Sequence, residues 1–371
     1  MRKTAMAATL AAGALAACGG GGSGNGSGGS ASTGTGSGGS TTSSQAISLF
    51  AAPGAAAGTF TATGDVNNDS FGFLNNMRAQ AGLAALSSQS GVAQAAANHS
   101  VWEQDNNVVG HYETAGQTGF TGVSPSDRVN LYYSTTSVGE ATAGVSGAFS
   151  TSTEPVELLF NAPFHRAIML FDSVNVGVGS AQTTNTSLLS TLTIDFADYK
   201  QVVPDNQLVA WPYNGQTGVD TTWIANESPN PMAAGPSYEG QSVGYPVTLT
   251  GSDNAAFSNV AFAITDSTGA NVPCQEVDSS NNSEAVREAM CVPFQPLATN
   301  MTYTVKVTGT LTNTSLTATP FSLSWSFTTA AAATVHEQTT TPPATRRVII
   351  NGHAQPFAKR VRLTQTTQGA Q

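Results

Sequence analysis

The chain has 371 residues, a formal net charge of -10 and only 10% charged residues. That length leaves room for two folded modules, and the acid excess on a surface where Thr, Ser, Asn and Gly stand in for charge argues against nucleic acid as a partner and for an exported, solvated protein. No segment approaches the roughly 20 consecutive apolar residues that a membrane-spanning helix needs.

In chain order, Arg2-Lys3, an Ala-rich apolar run and Leu15-Ala16-Ala17-Cys18 form the charged, hydrophobic and small-residue order of a secretory signal. The cysteine directly after the small residues resembles a bacterial lipobox, so residues 1–17 are expected to be removed and Cys18 to carry a lipid that attaches the protein to a membrane at the cell envelope. The alternative is an ordinary cleaved signal followed by an incidental cysteine. Residues 18–64 are a Gly/Ser/Thr-rich stretch without charge before Asp65 and read as a tether.

The first module is expected over residues 65–203. Phe73, Leu74, Met77 and Ala81 recur at helical spacing up to Gly82, and Val92, Ala95, Ala96, His99, Trp102 and Glu103 form a second stripe, with His99 read as a helix-packing histidine. Asp65-Val66-Asn67-Asn68-Asp69 mimics half of a calcium loop but lacks the glycine and the closing glutamate. Thr153, Glu154 and Pro155 signal a helix start, with Thr153 as cap and Glu154 and Glu157 complementing the helix dipole; that helix is expected to deliver His165 just past its end. Val174, Val176 and Val178, then Leu192, Ile194 and Phe196, alternate as an antiparallel hairpin.

Residues 204–233 are rich in Pro, Asn and Gly and read as a linker. Over 234–330 period-2 runs alternate with turns, as in an all-β immunoglobulin-like sandwich, and Pro296-Leu297 followed by Tyr303 resembles a tyrosine corner. Cys274 and Cys291 read as one disulfide in an exported chain, worth on the order of 3 kcal/mol in the chain-entropy model; a metal pair would want a histidine nearby. Residues 331–371 read as a disordered basic tail containing Arg346, Arg347, Lys359, Arg360 and Arg362.

The densest chemistry lies between Gly110 and Gly179, where His111-x-Glu113, Gly139-Glu140 and Pro163-Phe164-His165-Arg166 follow one another. With Leu74 to Leu86 ahead and Val174 to Gly179 behind, this order resembles the CAP superfamily (SCP-like; cysteine-rich secretory, antigen 5 and pathogenesis-related 1 proteins) in its shorter bacterial form, over roughly Phe71 to Tyr199. The resemblance implies an α+β fold, a three-layer α-β-α sandwich preceding the β-sandwich, and a groove presenting two histidines and two glutamates. Matched by motif, these are His111, Glu140 and His165, with Glu113 and Arg166 in support. The place of the second glutamate reads Leu159-Phe160-Asn161-Ala162 and holds no acid, so that Glu113, Glu154 or Glu157 would have to supply the carboxylate from elsewhere.

Two imidazoles and a carboxylate suit a divalent metal such as Zn²⁺ with an open position, or acid–base work near neutral pH. His111 and His165 do not stand one helical turn apart as in a zinc protease, and no serine sits in a Gly-x-Ser-x-Gly turn. The expectation is therefore a binding protein for a lipid- or sterol-like molecule, an envelope component or a metal, with no catalytic residue assigned; the alternative is a metal-assisted hydrolase of peptides or envelope polymers.

Overall fold

The computed structural model describes residues 46–51, 60–232, 238–332 and 346–351. Cys18, most of the tether and most of the basic tail lie outside the described residues.

The chain opens with a short strand β1 (Ser48–Leu49), helix α1 (Val66–Gln80), β2 (Ser87–Ser88), α2 (Ser90–Asn106) and α3 (Pro125–Asn130), and continues with β3 (Val138–Ser146), α4 (Glu154–Asn161), α5 (Pro163–Met169), β4 (Ser173–Ala181) and β5 (Leu189–Tyr199). After these the described residues form the strands β6 (Gln207–Trp211), β7 (Gln216–Val219), β8 (Thr222–Ile224), β9 (Glu227–Ser228), β10 (Ser242–Gly244), β11 (Val247–Thr250), β12 (Ala256–Asp266), β13 (Cys274–Val277), β14 (Glu288–Pro293), β15 (Thr302–Thr312), β16 (Thr319–Thr329) and β17 (Val348–Asn351).

Local chemistry accounts for the helix starts. Asp65 caps α1 by accepting from the Asn68 amide at 2.8 Å, so the supposed half calcium loop is a helix cap. Ser124 and Asp127 close a capping box on α3, with Pro125 in its first turn. At α4 the expected Thr153 side-chain cap is not made: the Glu154 amide donates to Thr151 Oγ1 at 3.0 Å instead. Pro163 then begins a new helix, so that His165 comes just past the end of α4, as expected, but inside α5.

The first module is a three-layer sandwich around the sheet β2-β4-β5-β3-β17-β9. The hairpin of β4 and β5 is antiparallel, as the alternating valines indicate, and β3 pairs antiparallel with β5 on its other side. Because successive strand residues face opposite ways, the two sides of the sheet differ in chemistry. Ala141, Ala143, Val176, Leu192, Ile194 and Phe196 join an apolar core with Leu74, Leu159 and Phe160 of α1 and α4. Glu140, Thr142, Thr193 and Asp195 face the α2 side instead. There the helix rides close on the sheet, since a Cβ on Gly177 would stand 2.1 Å from the Ala93 amide nitrogen and one on Gly179 would stand 2.2 Å from that of Ala97.

The second module packs the sheet β1-β6-β11-β14-β13 against β12-β15-β16-β7. Cys274 and Cys291 are bonded between β13 and β14. The Tyr303 hydroxyl accepts from the Ala298 amide at 2.8 Å, tying the loop to its strand as the tyrosine-corner pattern suggested.

Two expectations about the connections need correction. Residues 204–233 hold four strands, β6 to β9, because the apolar side chains of Leu208, Val209, Trp211 and Val219 among the Pro and Gly residues enter the core. The tail is not wholly without structure either: β17 inserts between β3 and β9, and Ile350 is buried at 1% exposure. The modules also share contacts. Trp211 meets Phe160 edge-on at 4.9 Å, Tyr245 Oη donates to Asn161 at 2.9 Å, and Arg166 donates to the carbonyls of Phe160, Asn161 and Pro246.

The close approach of α2 to β4 sets a sharp test. Gly177→Ala must push backbone against backbone, and is expected to lower the urea unfolding free energy by about 2 kcal/mol or more, in the range of core overpacking. Gly64→Ala, where the added Cβ meets nothing within 4 Å but φ is +93°, is expected to cost less.

Candidate functional site

The α2 side of the sheet carries a nest of buried ionisable groups. Glu140 enters it from β3 with 0% exposure. Its carboxylate takes a close hydrogen bond from Arg128 Nη2 and another, at 2.6 Å, from His111 Nδ1. Arg128 is aimed there by α3 and fixed by a second bond, Nη1 to the His111 carbonyl at 3.0 Å. Burial by itself would raise the Glu140 pKa, but the Arg128 charge and His99 hold it well below the usual carboxylate range.

His99 reaches the nest from α2. Its Nδ1 stands 3.0 Å from Glu113 Oε1 and its Nε2 2.9 Å from the Gly110 carbonyl. Both partners are acceptors only, so both ring nitrogens donate and the ring is an imidazolium. Burial opposes that charge, and Glu140 and Glu103 outweigh it to keep the pKa above the ordinary value. Glu113 is thereby occupied: its other oxygen accepts from the amides of Thr121 at 2.6 Å and Gly122 at 3.2 Å, so it orders a loop and does not line a groove.

Two further carboxyls complete the nest. Glu103, one helical turn after His99, accepts from the Gly110 amide and from Thr142 Oγ1 at 2.9 Å each, and burial pushes its pKa up to about 7. Asp195 lies directly across the ladder from Glu140; burial and the Glu140 charge keep its pKa well above the usual range.

His165 has a different carboxylate partner. Its Nδ1 bonds Glu227 Oε1 at 2.6 Å, and the backbone amides of Phe164 and His165 donate to the same carboxylate at 3.2 and 2.9 Å. Glu227 belongs to β9, beyond the first module as read from sequence. Helix α5 has no side-chain cap of its own, and Glu227 satisfies two of its free N-terminal amides from outside. Among the described residues no hydrogen bond or ion pair links His165 with His111 or Glu140. Of the expected trio, the structure brings His111 and Glu140 together and pairs His165 with a different carboxylate. Arg166, expected in support, holds the seam between the modules instead.

The two histidines nonetheless share one feature. In each, Nδ1 faces a carboxylate, which assigns the proton to that nitrogen, and Nε2 is buried with no protein hydrogen-bond partner. Each therefore leaves a buried ring nitrogen without a protein partner, an acceptor when the ring is neutral. Among the described residues no three His, Cys, Asp or Glu side chains form a group that could hold a metal ion. A cation here would have to take most of its donors from water or a ligand, so the residues do not build a complete metal cage.

Sequence reasoning missed Glu103, Arg128, Asp195 and Glu227. Glu103 stands four residues after His99, a spacing that places both on one helix face. Asp195 falls between Ile194 and Phe196 on the side of the strand opposite the apolar one, where solvent would be the usual neighbour. For Arg128 and Glu227 no local pattern carries the signal.

Residues 71–196 match the family model described as the cysteine-rich secretory protein family, CAP. An extracellular protein containing an SCP domain from Bacillus anthracis is 21% identical, over 36% of this chain and 40% of that one, with a TM-score of 0.30. An outer surface protein from Borrelia burgdorferi is 16% identical, over 35% of this chain and 90% of that one, at a TM-score of 0.29. CopC from Methylosinus trichosporium is 16% identical, over 33% of this chain and 88% of that one, at 0.22. No curated protein matches the chain.

The nest predicts a pH dependence. The folded state holds the Glu103 proton up to about pH 7 while the unfolded chain releases it near 4.5, so this group's contribution to stability is full below 4.5 and is lost as pH rises toward 7. The loss is of order 3 kcal/mol. Urea unfolding of Glu103→Gln across that window is expected to lack this part of the decline seen in the wild type; parallel curves would show that Glu103 is ionised throughout.

Proposed function

Taking residues 71–196 as a CAP domain, we propose that the protein is an exported, lipid-anchored surface protein that binds a ligand through the Nε2 atoms of His111 and His165, with the second, immunoglobulin-like module as its support. The observation that carries this reading is the pair of buried imidazoles, each locked by a carboxylate and each with Nε2 unpartnered. A buried acceptor without a partner costs about 1 to 3 kcal/mol, a cost that a hydroxyl donor from a ligand would remove.

The surface beside His111 favours an amphipathic ligand, lipid- or sterol-like. Tyr112, next in the chain, is 57% exposed, and Val123, whose carbonyl accepts from the Glu113 amide, is 50% exposed. Apolar contact outside and a hydroxyl acceptor inside together suit a molecule with one polar end.

Turnover is the weaker reading. Glu103 is the group poised to exchange a proton near neutral pH, but it is fully buried and bonded to Gly110 and Thr142. A divalent ion such as Zn²⁺ would use the same Nε2 atoms and compete with the hydroxyl donor.

The test is titration of the full-length protein with a fluorescent sterol, with and without Zn²⁺. Saturable binding that weakens at least about tenfold in His111→Ala, as expected for one buried hydrogen bond, supports the reading, and so does displacement of the sterol by Zn²⁺. Binding of Zn²⁺ alone that His111→Ala abolishes would replace the lipid with a metal. Sterol affinity indifferent to both His111→Ala and His165→Ala would remove these histidines from the site.

Anchoring has its own measurement. Wild-type protein from membranes is expected to enter the detergent phase while Cys18→Ser stays aqueous; equal aqueous partition would end the lipoprotein reading.

A further inference from the structure

The sheet of the first module does not end at β3. Strand β17 lies antiparallel on it, pairing Val348 with Val145, Ile349 with Gly144 and Ile350 with Ala143. On its other side β17 runs parallel to β9, pairing Ile350 with Glu227 and Asn351 with Ser228. Two strands flanking a third stand roughly 10 Å apart, so the gap between β3 and β9 takes one extended chain.

This slot reads its occupant at three levels. Main-chain bonds accept any extended segment; the Ser146 amide donates to the Arg347 carbonyl at 2.9 Å and the Arg347 amide to Ser146 Oγ at 3.1 Å, lengthening the ladder. Arg346 grips Glu154 with Nη1–Oε1 2.7 Å and Nη2–Oε2 2.8 Å, and both side chains are mostly screened from solvent. Ile350, four residues later, enters the shared core. A basic residue followed at that spacing by a branched aliphatic one, in extended form, is therefore what the slot selects, the logic by which a sheet edge takes a peptide strand.

We propose that the slot between β3 and β9 is a peptide-binding site which the chain fills with its own C-terminal strand, and that docking of this strand holds Glu227 on His165. The register carries the second half. Glu227 and Ile350 are direct neighbours across β9 and β17, and within the sheet β9 has β17 as its only ladder partner. Remove β17 and nothing in the sheet fixes Glu227 at the start of α5. The strand is held by a short ladder, one ion pair and one buried aliphatic side chain, which places it among segments that open before the whole fold does. An extended peptide of the same pattern that displaced it would change the His165 half of the proposed ligand site. Only this consequence rests on the function proposed above, since the slot and its occupant are argued independently of any ligand.

Hydrogen exchange on the full chain tests both halves. In the wild type the amides of residues 348–350 and those of Phe164 and His165, which donate to Glu227, should be protected together. Arg346→Glu with Ile350→Asp should speed exchange in both sets by at least about tenfold, the equivalent of one charge-assisted hydrogen bond, while the β15–β16 amides keep their protection. The synthetic hexapeptide of residues 346–351 added to this variant should restore protection at Phe164 and His165, and a hexapeptide with the same two substitutions should not. Fast exchange at 348–350 with unchanged protection at Phe164 and His165 would overturn the coupling, and failure of the hexapeptide to restore protection would overturn the peptide site. Should the double variant unfold, Arg346→Glu alone and its charge swap with Glu154→Arg decide: the single change should loosen the strand and the swap should tighten it, and equal exchange in the two overturns the proposal. The readout uses neither sterol nor metal, so its failure leaves the function proposed above to its own test.

Discussion

The Arg128 guanidinium on the Glu140 carboxylate is the contact on which the first module depends. A carboxylate with no exposure is tolerable only with a charge partner and satisfied lone pairs, and Glu140 has both, from Arg128 and His111. Around it opposite charges face one another: Arg128 and His99 lower the pKa values of the Glu140 and Glu113 carboxyls against the pull of burial, while burial raises those of Asp195 and Glu103. These groups then fix one another: the loop carrying His111 and Glu113 is tied to α2 through His99 and to α3 through Arg128.

That network explains why His111 and His165 both leave Nε2 without a protein partner although their carboxylates differ. A neutral imidazole shows its acceptor wherever its proton is not. Glu140 faces Nδ1 of His111 and Glu227 faces Nδ1 of His165, one carboxylate from β3 and one from β9 at the edge of the same sheet. The same device is thus assembled twice, and the second time from parts more than sixty residues apart in the chain, as the hydrogen bond between His165 and Glu227 records.

What was legible in the sequence follows the range of the forces involved. Periodicity reports on the immediate neighbours of a residue, so the α1 and α2 stripes, the β4–β5 hairpin and the strands around Tyr303 could be read directly. The disulfide was legible because two cysteines in a strand-rich segment leave little choice. The glycines at 177 and 179 were visible only as gaps between valines, whereas their reason is the backbone of α2 lying against them. His111 with Glu140 came through the ordered motifs of a known family. Glu227 did not, because a carboxylate in a Pro- and Asn-rich stretch looks like any solvated acid until the fold carries it to the start of α5. The strands within 204–233 were hidden for a related reason: each is short, and its partners lie far along the chain, so no local alternation survives.

The physical unit is therefore larger than the recognised one. The family match ends at residue 196, yet the helix carrying His165 is capped by residue 227, its arginine neighbour is bonded to the carbonyl of residue 246, and the sheet beneath is extended by residues 348–351. The first two contacts are buried, and removing one partner of either would leave a charged or polar group without compensation, which costs more than the contact contributes when intact. The chain beyond residue 196 supplies partners for groups that the matched region buries and does not satisfy alone. A segment cut at the family boundary would keep Arg128 on Glu140 but strip Glu227 from His165 and Pro246 from Arg166. Half of the proposed site lies within residues 71–196, and the other half depends on Glu227 outside them.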